Sequence, residues 1–224
     1  MDANLERLLI AALGEDAVFE GGSLLAPTSA EGVGAVLRLA QEHRLPLRLT
    51  SGPPSPSHAP PGGAVLSLTR LAAISVDPGR GVVRAEAGAT LGALAAALAA
   101  GEVAVPALAA VGVAVPGLGP DPGSDRVGAL IARGGLPRRS LTGIEAALPG
   151  GELMTVGATV LKDVVGYDVT SLLLGSHGRL GVVVAAHLRV VPAGATVAVA
   201  EPAGERDVAG LTGVFDPEGI LAGN

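Results

Sequence analysis

The sequence predicts an α+β fold made of two α/β units. One observation is a strand–helix–strand pattern over residues 20–70, in which a helix is followed by apolar runs at 45–49 and 64–68. Another is a series of short hairpins after residue 71. A third is a core of Ala, Val and Leu with 34 glycines, which favours close backbone packing. The predicted bounds are 1–19 (N-terminal helix), 20–70 (smaller unit), 71–195 (larger unit) and 196–224 (linker and C-terminal tail).

The elements of the smaller unit follow from spacing and capping. Leucines at helical spacing predict a helix over 4–13. Thr28 and Ser29 offer an N-cap for a second helix over 30–43. Residues 24–27 are expected to be extended.

The elements of the larger unit are predicted in the same way. Asp77-Pro78-Gly79 is a turn signal between two strands, and Thr90 caps a helix over 91–100. The other expected elements are a helix near 125–133, a hairpin of 144–148 and 153–156, a short helix over 169–174, a strand over 181–191, a last strand at 197–200 and a linker at 201–210.

Composition excludes several classes of protein. A net charge of −6 and only three aromatic residues argue against nucleic-acid binding. The absence of cysteine excludes disulfides and thiolate sites. Residues 103–119 carry no charge, but Pro106 and Pro116 and the richness in Ala and Gly predict a buried looping segment, not a membrane span. The acidic N-terminus is not a secretory signal, so we expect a cytoplasmic protein.

The common catalytic motifs are absent from the sequence. No phosphate-binding G-x-x-x-x-G-K-[ST] occurs, and neither Gly-x-Gly pair follows a strand as a dinucleotide fingerprint requires. The four histidines lack metal-ligand spacing. No G-x-S-x-G motif indicates a serine hydrolase.

Two stretches remain informative. The loop 50-TSGPPSPSHAPPG-62 joins two strands as a phosphate-binding loop does, but proline has no N–H to offer an anion. In 159-TVLKDVVGYDVTSLLLGSHGRLGVVVAAHLRVVP-192, glycines recur every third residue from 175 to 181. This spacing fits either a close approach to a ligand or an ordinary turn between helix and strand.

The second stretch resembles the C-terminal signature of the FAD-binding (PCMH-type) domain of the vanillyl-alcohol oxidase superfamily. The pattern V-K-N-V-A-G-Y-D-L…L-x-x-G-S-x-G-T-L-G-V-I…L-R-L-x-P is kept, with Asp163 in place of asparagine and Arg179 in place of threonine. The segments beginning at residues 26, 81, 126 and 144 are also similar to family segments. The resemblance therefore covers about residues 25–192 and is closest to bacterial glycolate oxidase subunits.

The resemblance implies a noncovalent FAD in the groove between the two units, with the loop after residue 50 at its pyrophosphate. A helix N-terminus near 124–127 would add amides for an anion. His58 is expected to be a solvated side chain and not a covalent flavin link. The cofactor-binding positions implied are Ser51, Gly52, Ser55, Ser57, His58, Arg126, Val127, Gly128, Gly175, Gly178, Gly181, Val182 and Val183; no catalytic or metal-ligating residue is assigned.

The C-terminal part departs from the family. Members usually insert a cap domain after the position of Pro192 and close with F-D-P-x-G-I-L-N-P, whereas here 215-FDPEGILAGN-224 follows after some twenty residues. That length is too short for a domain. We therefore expect a domain without its cap, most similar to the E-type subunit of glycolate oxidase.

Such a subunit of an oxidoreductase complex is expected to be inactive alone. The resemblance implies a larger catalytic flavoprotein as partner, an iron–sulfur subunit as a further one, and membrane association only through partners. The proline-rich loop keeps an alternative open, a flavin-free structural or regulatory subunit with a degenerate FAD site. The well-kept segment 166–182 favours FAD.

Overall fold

The computed structural model describes residues 2–110, 126–157 and 168–221. Its helices are α1 (Ala3–Leu13), α2 (Ala30–His43), α3 (Leu91–Ala100), α4 (Pro106–Ala110), α5 (Val127–Ala132), α6 (Val169–Leu173) and α7 (Ala209–Phe215). Its strands are β1 (Val18–Phe19), β2 (Leu24–Leu25), β3 (Leu47–Thr50), β4 (Ala64–Ser67), β5 (Ile74–Asp77), β6 (Val82–Glu86), β7 (Val103–Ala104), β8 (Leu141–Ala147), β9 (Leu153–Gly157), β10 (Val182–Arg189) and β11 (Val191–Pro192).

The smaller sheet has the strand order β1-β2-β4-β3. Strands β2, β4 and β3 run parallel, and β1 adds an antiparallel edge. Helix α2 connects β2 to β3, and it begins where the Ser29 hydroxyl accepts a hydrogen bond from the Gly32 N–H at 3.1 Å. Its buried face, which includes Val33, Val36 and Leu37, belongs to the same apolar cluster as the sheet and α1.

The larger sheet is antiparallel, with the order β5-β6-β10-β8-β9. One face packs against α3, α5 and α6 through a core that contains Val83, Leu94, Ile131, Ile144 and Leu188. Two separate sheets, one mixed and one antiparallel, confirm the predicted α+β class. The exact domain bounds at 19, 70 and 195 stay a prediction.

The two sheets are joined through α2, which contacts β8, β9 and β10. Ala147, Val182 and Val184 of the larger sheet lie in the apolar cluster of the smaller unit. At this junction Gly34 of α2 faces Gly151 of the β8–β9 turn, and a Cβ on Gly34 would stand 2.5 Å from the Gly151 carbonyl oxygen. Helix and turn can approach this closely because neither residue has a side chain.

The C-terminal part corrects two sequence expectations. Residues 197–200, predicted as a last strand, pair with no strand in the described chain, and α7 begins inside the expected linker. The tail is not separate from the smaller unit, because the Leu47 N–H donates to the Ile220 carbonyl at 2.7 Å and both Ile220 and Leu221 are buried. Asp216 fixes this turn by accepting hydrogen bonds from the amides of those two residues.

Other expected elements are present with shifted ends. The strand predicted over 181–191 is divided into β10 and β11, and the helix predicted near 125–133 covers only Val127–Ala132. The greater part of the uncharged segment 103–119 lies outside the described residues. Among the helices of the described ranges, none combines the length and the apolar character needed to cross a bilayer.

A polar cluster lies on the face of the larger sheet opposite its core. Arg84 of β6 donates two hydrogen bonds of 2.7 Å to the carboxylate of Glu145 on β8, and His187 of β10 lies 2.8 Å from the same carboxylate. Arg84 also pairs with Glu86 at 3.2 Å. The hydrogen bonds from Arg84, supported by His187, hold the pKa of Glu145 below its ordinary value although partial burial opposes this.

Replacing Glu145 with Gln should therefore lower the free energy of unfolding by about 1–3 kcal/mol at neutral pH, because Arg84 loses one of its two charged partners and keeps only Glu86. Because the pKa of Glu145 is lower in the folded than in the unfolded state, its ionised carboxylate stabilises the fold fully at pH values above the unfolded-state pKa. This stabilisation is lost as the pH falls through the folded-state pKa. The difference between wild type and Glu145→Gln should thus shrink in acid. Denaturant titrations at several pH values measure it.

Glu152→Gln is the matched control for this experiment, because Glu152 is exposed in the neighbouring turn. It should change stability by less than about 0.5 kcal/mol. If Glu145→Gln lowered the free energy of unfolding by the same amount at neutral and acidic pH, the stabilising role of the ionised Glu145 carboxylate would be contradicted.

Candidate functional site

A cleft of about 340 Å³ lies where the smaller unit meets the larger one. The end of β3 and the loop after it form one side, and α5, α6 and the start of β10 form the other. This volume is within the range of small-molecule sites. Six of the residues predicted from the sequence line it: Ser51, Gly52, Gly128, Gly178, Val182 and Val183. The cofactor groove predicted between the two units therefore corresponds to an existing cleft.

The proline-containing loop contributes to the cleft only through its first residues. The Gly52 N–H donates to the Thr50 hydroxyl at 3.2 Å, whereas no acceptor among the described residues reaches the Ser51 N–H. Ser51 thus has a backbone donor beside the cleft for a ligand oxygen. The prolines that follow donate nothing.

The later loop residues Ser55, Ser57 and His58 do not line the cleft. They form a 3₁₀ turn in which the His58 N–H donates to the Ser55 carbonyl at 3.0 Å and the two serine hydroxyls lie 2.7 Å apart. The His58 side chain is exposed. The loop turns away from the cleft here because Pro56 fixes the first position of the turn.

The start of α5 differs from the expectation of a free anion-binding terminus. The Val127 N–H donates to the Ala89 carbonyl at 3.0 Å, and the Gly128 N–H donates to the Ala87 carbonyl at 2.8 Å. Arg126 also donates from its guanidinium to the Gly88 carbonyl. These groups join α5 to the segment after β6, so the first two amides of this short helix are already used. Ser124 lies outside the described residues.

The three spaced glycines have three different neighbours. Gly178 (φ +78°) lies against Leu49 across the cleft, and a Cβ on it would stand 2.5 Å from the Leu49 Cδ1 atom. Gly175 (φ +84°) packs against the backbone of Gly204, and Gly181 against that of Ala147. Of the three, only Gly178 lines the cleft. Gly175 and Gly181 are therefore explained by the turn between helix and strand, and not by close approach to a ligand.

Residues 203–206, called the strap below, cross the larger unit beside the cleft. The amides of Ala203, Gly204 and Arg206 donate to the carbonyls of Leu136, Gly134 and Gly175 at 3.1, 2.9 and 2.9 Å. A Cβ on either of the two contacting glycines would collide with the Gly204 carbonyl. Close backbone contact therefore holds the strap in place.

The strap reaches the cleft through a side-chain contact. Glu205 Oε1 lies 3.3 Å from His177 Nε2, and His177 lines the cleft. The backbone of His177 is left-handed (φ +55°), and its N–H donates to the Ala132 carbonyl at 3.0 Å. His177 is thus held by α5 on one side and by the strap on the other.

Several residues that line the cleft were not predicted from the sequence: Arg48, Leu49, Thr50, Leu68, Ala129, Ala132, Arg133, Leu173 and His177. Arg48 and Arg133 place positive charge beside the cleft from opposite sides. Arg48 follows the alternation of β3, in which Leu47 is buried and Arg48 is exposed. This alternation was a usable signal.

Only one residue of the Gly166-Tyr167-Asp168 triplet lies within the described residues. Asp168 caps α6 through the Ser171 amide at 3.1 Å and pairs with Arg138 at 2.8 Å. Burial raises the pKa of Asp168, but the hydrogen bonds from Arg138 and Ser171 outweigh burial and lower it. This aspartate stabilises the helix start. Lys162, Asp163 and Tyr167 lie outside the described residues.

The lining of the cleft fits a flat anionic cofactor such as FAD. Leu49, Leu68, Leu173 and Val182 supply apolar surface, Gly178 permits close approach, and Ser51 has an unused amide. The guanidinium groups of Arg48 and Arg133 would attract the negative charge of a diphosphate.

Comparison with known proteins adds independent evidence. A family described as FAD binding domain matches residues 23–157. The chain is 30% identical over 185 residues to a D-lactate dehydrogenase of Anaerostipes hadrus, covering 76% of this chain and 36% of that protein. A shorter stretch of 58 residues is 41% identical to glycolate oxidase subunit GlcD of Bacillus subtilis, covering 26% of this chain and 12% of that protein.

Solved structures support the fold. p-Cresol methylhydroxylase with bound substrate superposes with a TM-score of 0.60 at 18% identity, over 85% of this chain and 43% of that one. An alkyldihydroxyacetonephosphate synthase gives 0.63 at 15% identity, over 86% and 42%. The chain therefore spans less than half the length of these two proteins, and the likeness shows the fold alone.

Replacing Gly178 with Val should abolish retention of FAD while the protein stays folded, because the added side chain fills the cleft wall against Leu49. The visible flavin absorbance per polypeptide after gel filtration measures retention, and circular dichroism measures folding. Gly194→Val is the control, since Gly194 also has a positive φ (+82°) but no atom within 4 Å of its ideal Cβ. Equal flavin content in the two variants would contradict the prediction that FAD binds in this cleft.

Replacing Gly134 with Ala should release the strap, because the new Cβ collides with the Gly204 carbonyl. We expect trypsin to cut at Arg206 at least about tenfold faster, as local opening by about 1.4 kcal/mol predicts. Gly194→Ala has a similar positive φ without the collision and should digest like the wild type. Unchanged protection in Gly134→Ala would show that the glycine contact does not hold the strap.

Proposed function

Because this chain belongs to the family of FAD binding domains, of the type found in the vanillyl-alcohol oxidase superfamily, we propose that it is the FAD-binding subunit of a glycolate (2-hydroxy acid) oxidase or dehydrogenase complex. Its relatives include D-lactate dehydrogenases and a glycolate oxidase subunit, so the domain is of the 2-hydroxy-acid dehydrogenase type. The observation that carries the proposal is the cleft between the two units, lined by six predicted cofactor residues.

FAD is the cofactor of this domain, and when bound it would supply a two-electron acceptor for the oxidation of a 2-hydroxy acid. The first residues of the loop, Ser51 and Gly52, would lie against its phosphates, with Arg48 and Arg133 balancing the charge. Gly178, Val182 and Val183 would line the flat part. The position of His58, whose exposed side chain lies outside the cleft lining, supports the proposal of noncovalent binding.

The chain supplies no cap between the larger sheet and its closing motif. Residues 193–208 form neither helix nor strand, and most of them are exposed. A substrate held against the flavin would therefore lack a protein wall on that side, and water would not be excluded. We accordingly infer that the subunit does not oxidise 2-hydroxy acids alone.

A larger catalytic flavoprotein subunit is the proposed partner, with an iron–sulfur subunit as a further member of the complex. The C-terminal segment offers exposed apolar side chains: Val197, Val199, Leu211 and Val214, the last 76% exposed. Residues 220–221 are excluded as a docking surface, because they already fill the core of the smaller unit. The partner would therefore contact the segment before them.

The purified chain should be yellow with bound FAD and should not reduce an electron acceptor when given glycolate or D-lactate. An absorbance scan and an acceptor-reduction assay test both points. A colourless, folded chain that fails to bind added FAD would favour the flavin-free structural subunit. Oxidation of glycolate by the chain as a monomer would overturn the proposal that catalysis requires a separate subunit.

The partner is tested by affinity purification from co-expression with a full-length flavoprotein homologue. Val214→Asp should abolish co-purification, because it puts a charge on the exposed face of α7. Leu153→Asp is the control, since Leu153 is also exposed (44%) but lies on β9. Undiminished recovery with Val214→Asp would exclude α7 as the contact.

A further inference from the structure

A second cavity, of about 410 Å³, lies on the larger unit and is called the distal cavity here. One wall is the extended segment 197–200, which has no partner strand among the described residues. The opposite walls are the turn at 137–140, the end of β10 with β11, and the start of α4. The segment therefore borders a space that the described residues leave unfilled.

The distal cavity is separate from the cleft. The two share no lining residue. Strand β10 connects them, with Val182 at the cleft and Arg189 at the distal cavity. Seven residues of strand correspond to about 23 Å. A small ligand in the distal cavity would therefore be distinct from one held in the cleft.

The charges at the distal cavity are of one sign. Arg139 and Arg189 both line it and are exposed. Within the described ranges neither guanidinium has a hydrogen-bond or ion-pair partner. Several other arginines are paired, among them Arg138 with Asp168, Arg84 with Glu145, and Arg70 with Asp16. Two unpaired guanidiniums at one cavity are notable in a chain with 21 acidic and 15 basic residues.

The rest of the wall is mainly apolar. Pro106, Pro137, Val191, Val197 and Val199 provide hydrocarbon surface, and Ser140 adds a hydroxyl. Guanidinium groups bind carboxylates through paired, charge-assisted hydrogen bonds. An apolar wall binds the hydrocarbon part of the same ligand by removing it from water. A lone inorganic anion would use only the arginines.

We propose that the distal cavity is a binding site for a small aliphatic carboxylate, with its carboxylate on Arg139 and Arg189 and its hydrocarbon chain between Pro106, Pro137 and the valines of segment 197–200. This site is independent of FAD binding in the cleft. Occupation would give segment 197–200 a packing partner that it lacks among the described residues.

Hexanoate is the probe, added to the full chain labelled with ¹³C at its valine and leucine methyl groups. Saturable shifts are expected at Val191, Val197 and Val199, with none at Leu9, which is buried in the smaller unit. 1-Hexanol and inorganic phosphate are the comparators, each presenting only half of the ligand chemistry. Both should bind at least about tenfold more weakly than hexanoate.

Arg139→Ala and Arg189→Ala should each weaken hexanoate binding by about tenfold. Arg7→Ala is the matched control, because Arg7 is an exposed arginine on α1, whose buried leucines belong to the apolar cluster of the smaller unit. Val199→Asp should also weaken binding, by placing a carboxylate beside the ligand. FAD content should stay that of the wild type in all four variants.

Three results would overturn the proposal: no shifts with hexanoate, equal affinity for 1-hexanol or phosphate, or full binding by both arginine variants. A peptide carboxyl terminus that binds where hexanoate does not would also overturn it, in favour of a protein ligand. Failure of the wild-type chain to bind FAD would contradict the proposed function, but the hexanoate experiment would still test the distal cavity.

Discussion

The packing of β10 between two cores is the constraint on which the rest of the structure depends. Val182 and Val184 lie in the apolar cluster of the smaller unit, whereas Ala186 and Leu188 lie in that of the larger one. A bulge between Val183 and Ala185 in the pairing with β8 allows this change of side. Because one strand belongs to both clusters, the two units are held together and the cleft beside Val182 keeps its width.

Local signals in the sequence were sufficient for most of the framework. Ser29 and Thr90 were predicted as N-caps, and their hydroxyls accept hydrogen bonds from Gly32 and Ala93. Such caps are readable because they involve residues three positions apart. The run of valines after residue 181 likewise predicted a strand, and β10 covers Val182–Arg189. Gly178 was predicted at the cofactor groove, and it lines the cleft.

The remaining features depend on contacts between distant residues. Gly175 and Gly178 look alike in sequence, yet one packs on Gly204 and the other on Leu49. The amides at the start of α5 are taken by carbonyls about forty residues earlier, which no local pattern reveals. Helix α7 was missed because Gly210 and Gly213 lower its intrinsic helix propensity. Tertiary packing supports it, since Val208 beside it is buried and Phe215 packs against the core of the larger unit.

The anchoring of segment 193–202 at both ends has a consequence for protein engineering. Before it, β11 pairs with β7, and after it the strap is hydrogen-bonded to Leu136 and Gly134. When both ends of an exposed loop are fixed by their own contacts, they keep their positions if the loop is lengthened. The entropic cost of closing the longer loop grows only with the logarithm of its length. A reporter domain or an epitope introduced here would be carried by the chain without disturbing either sheet.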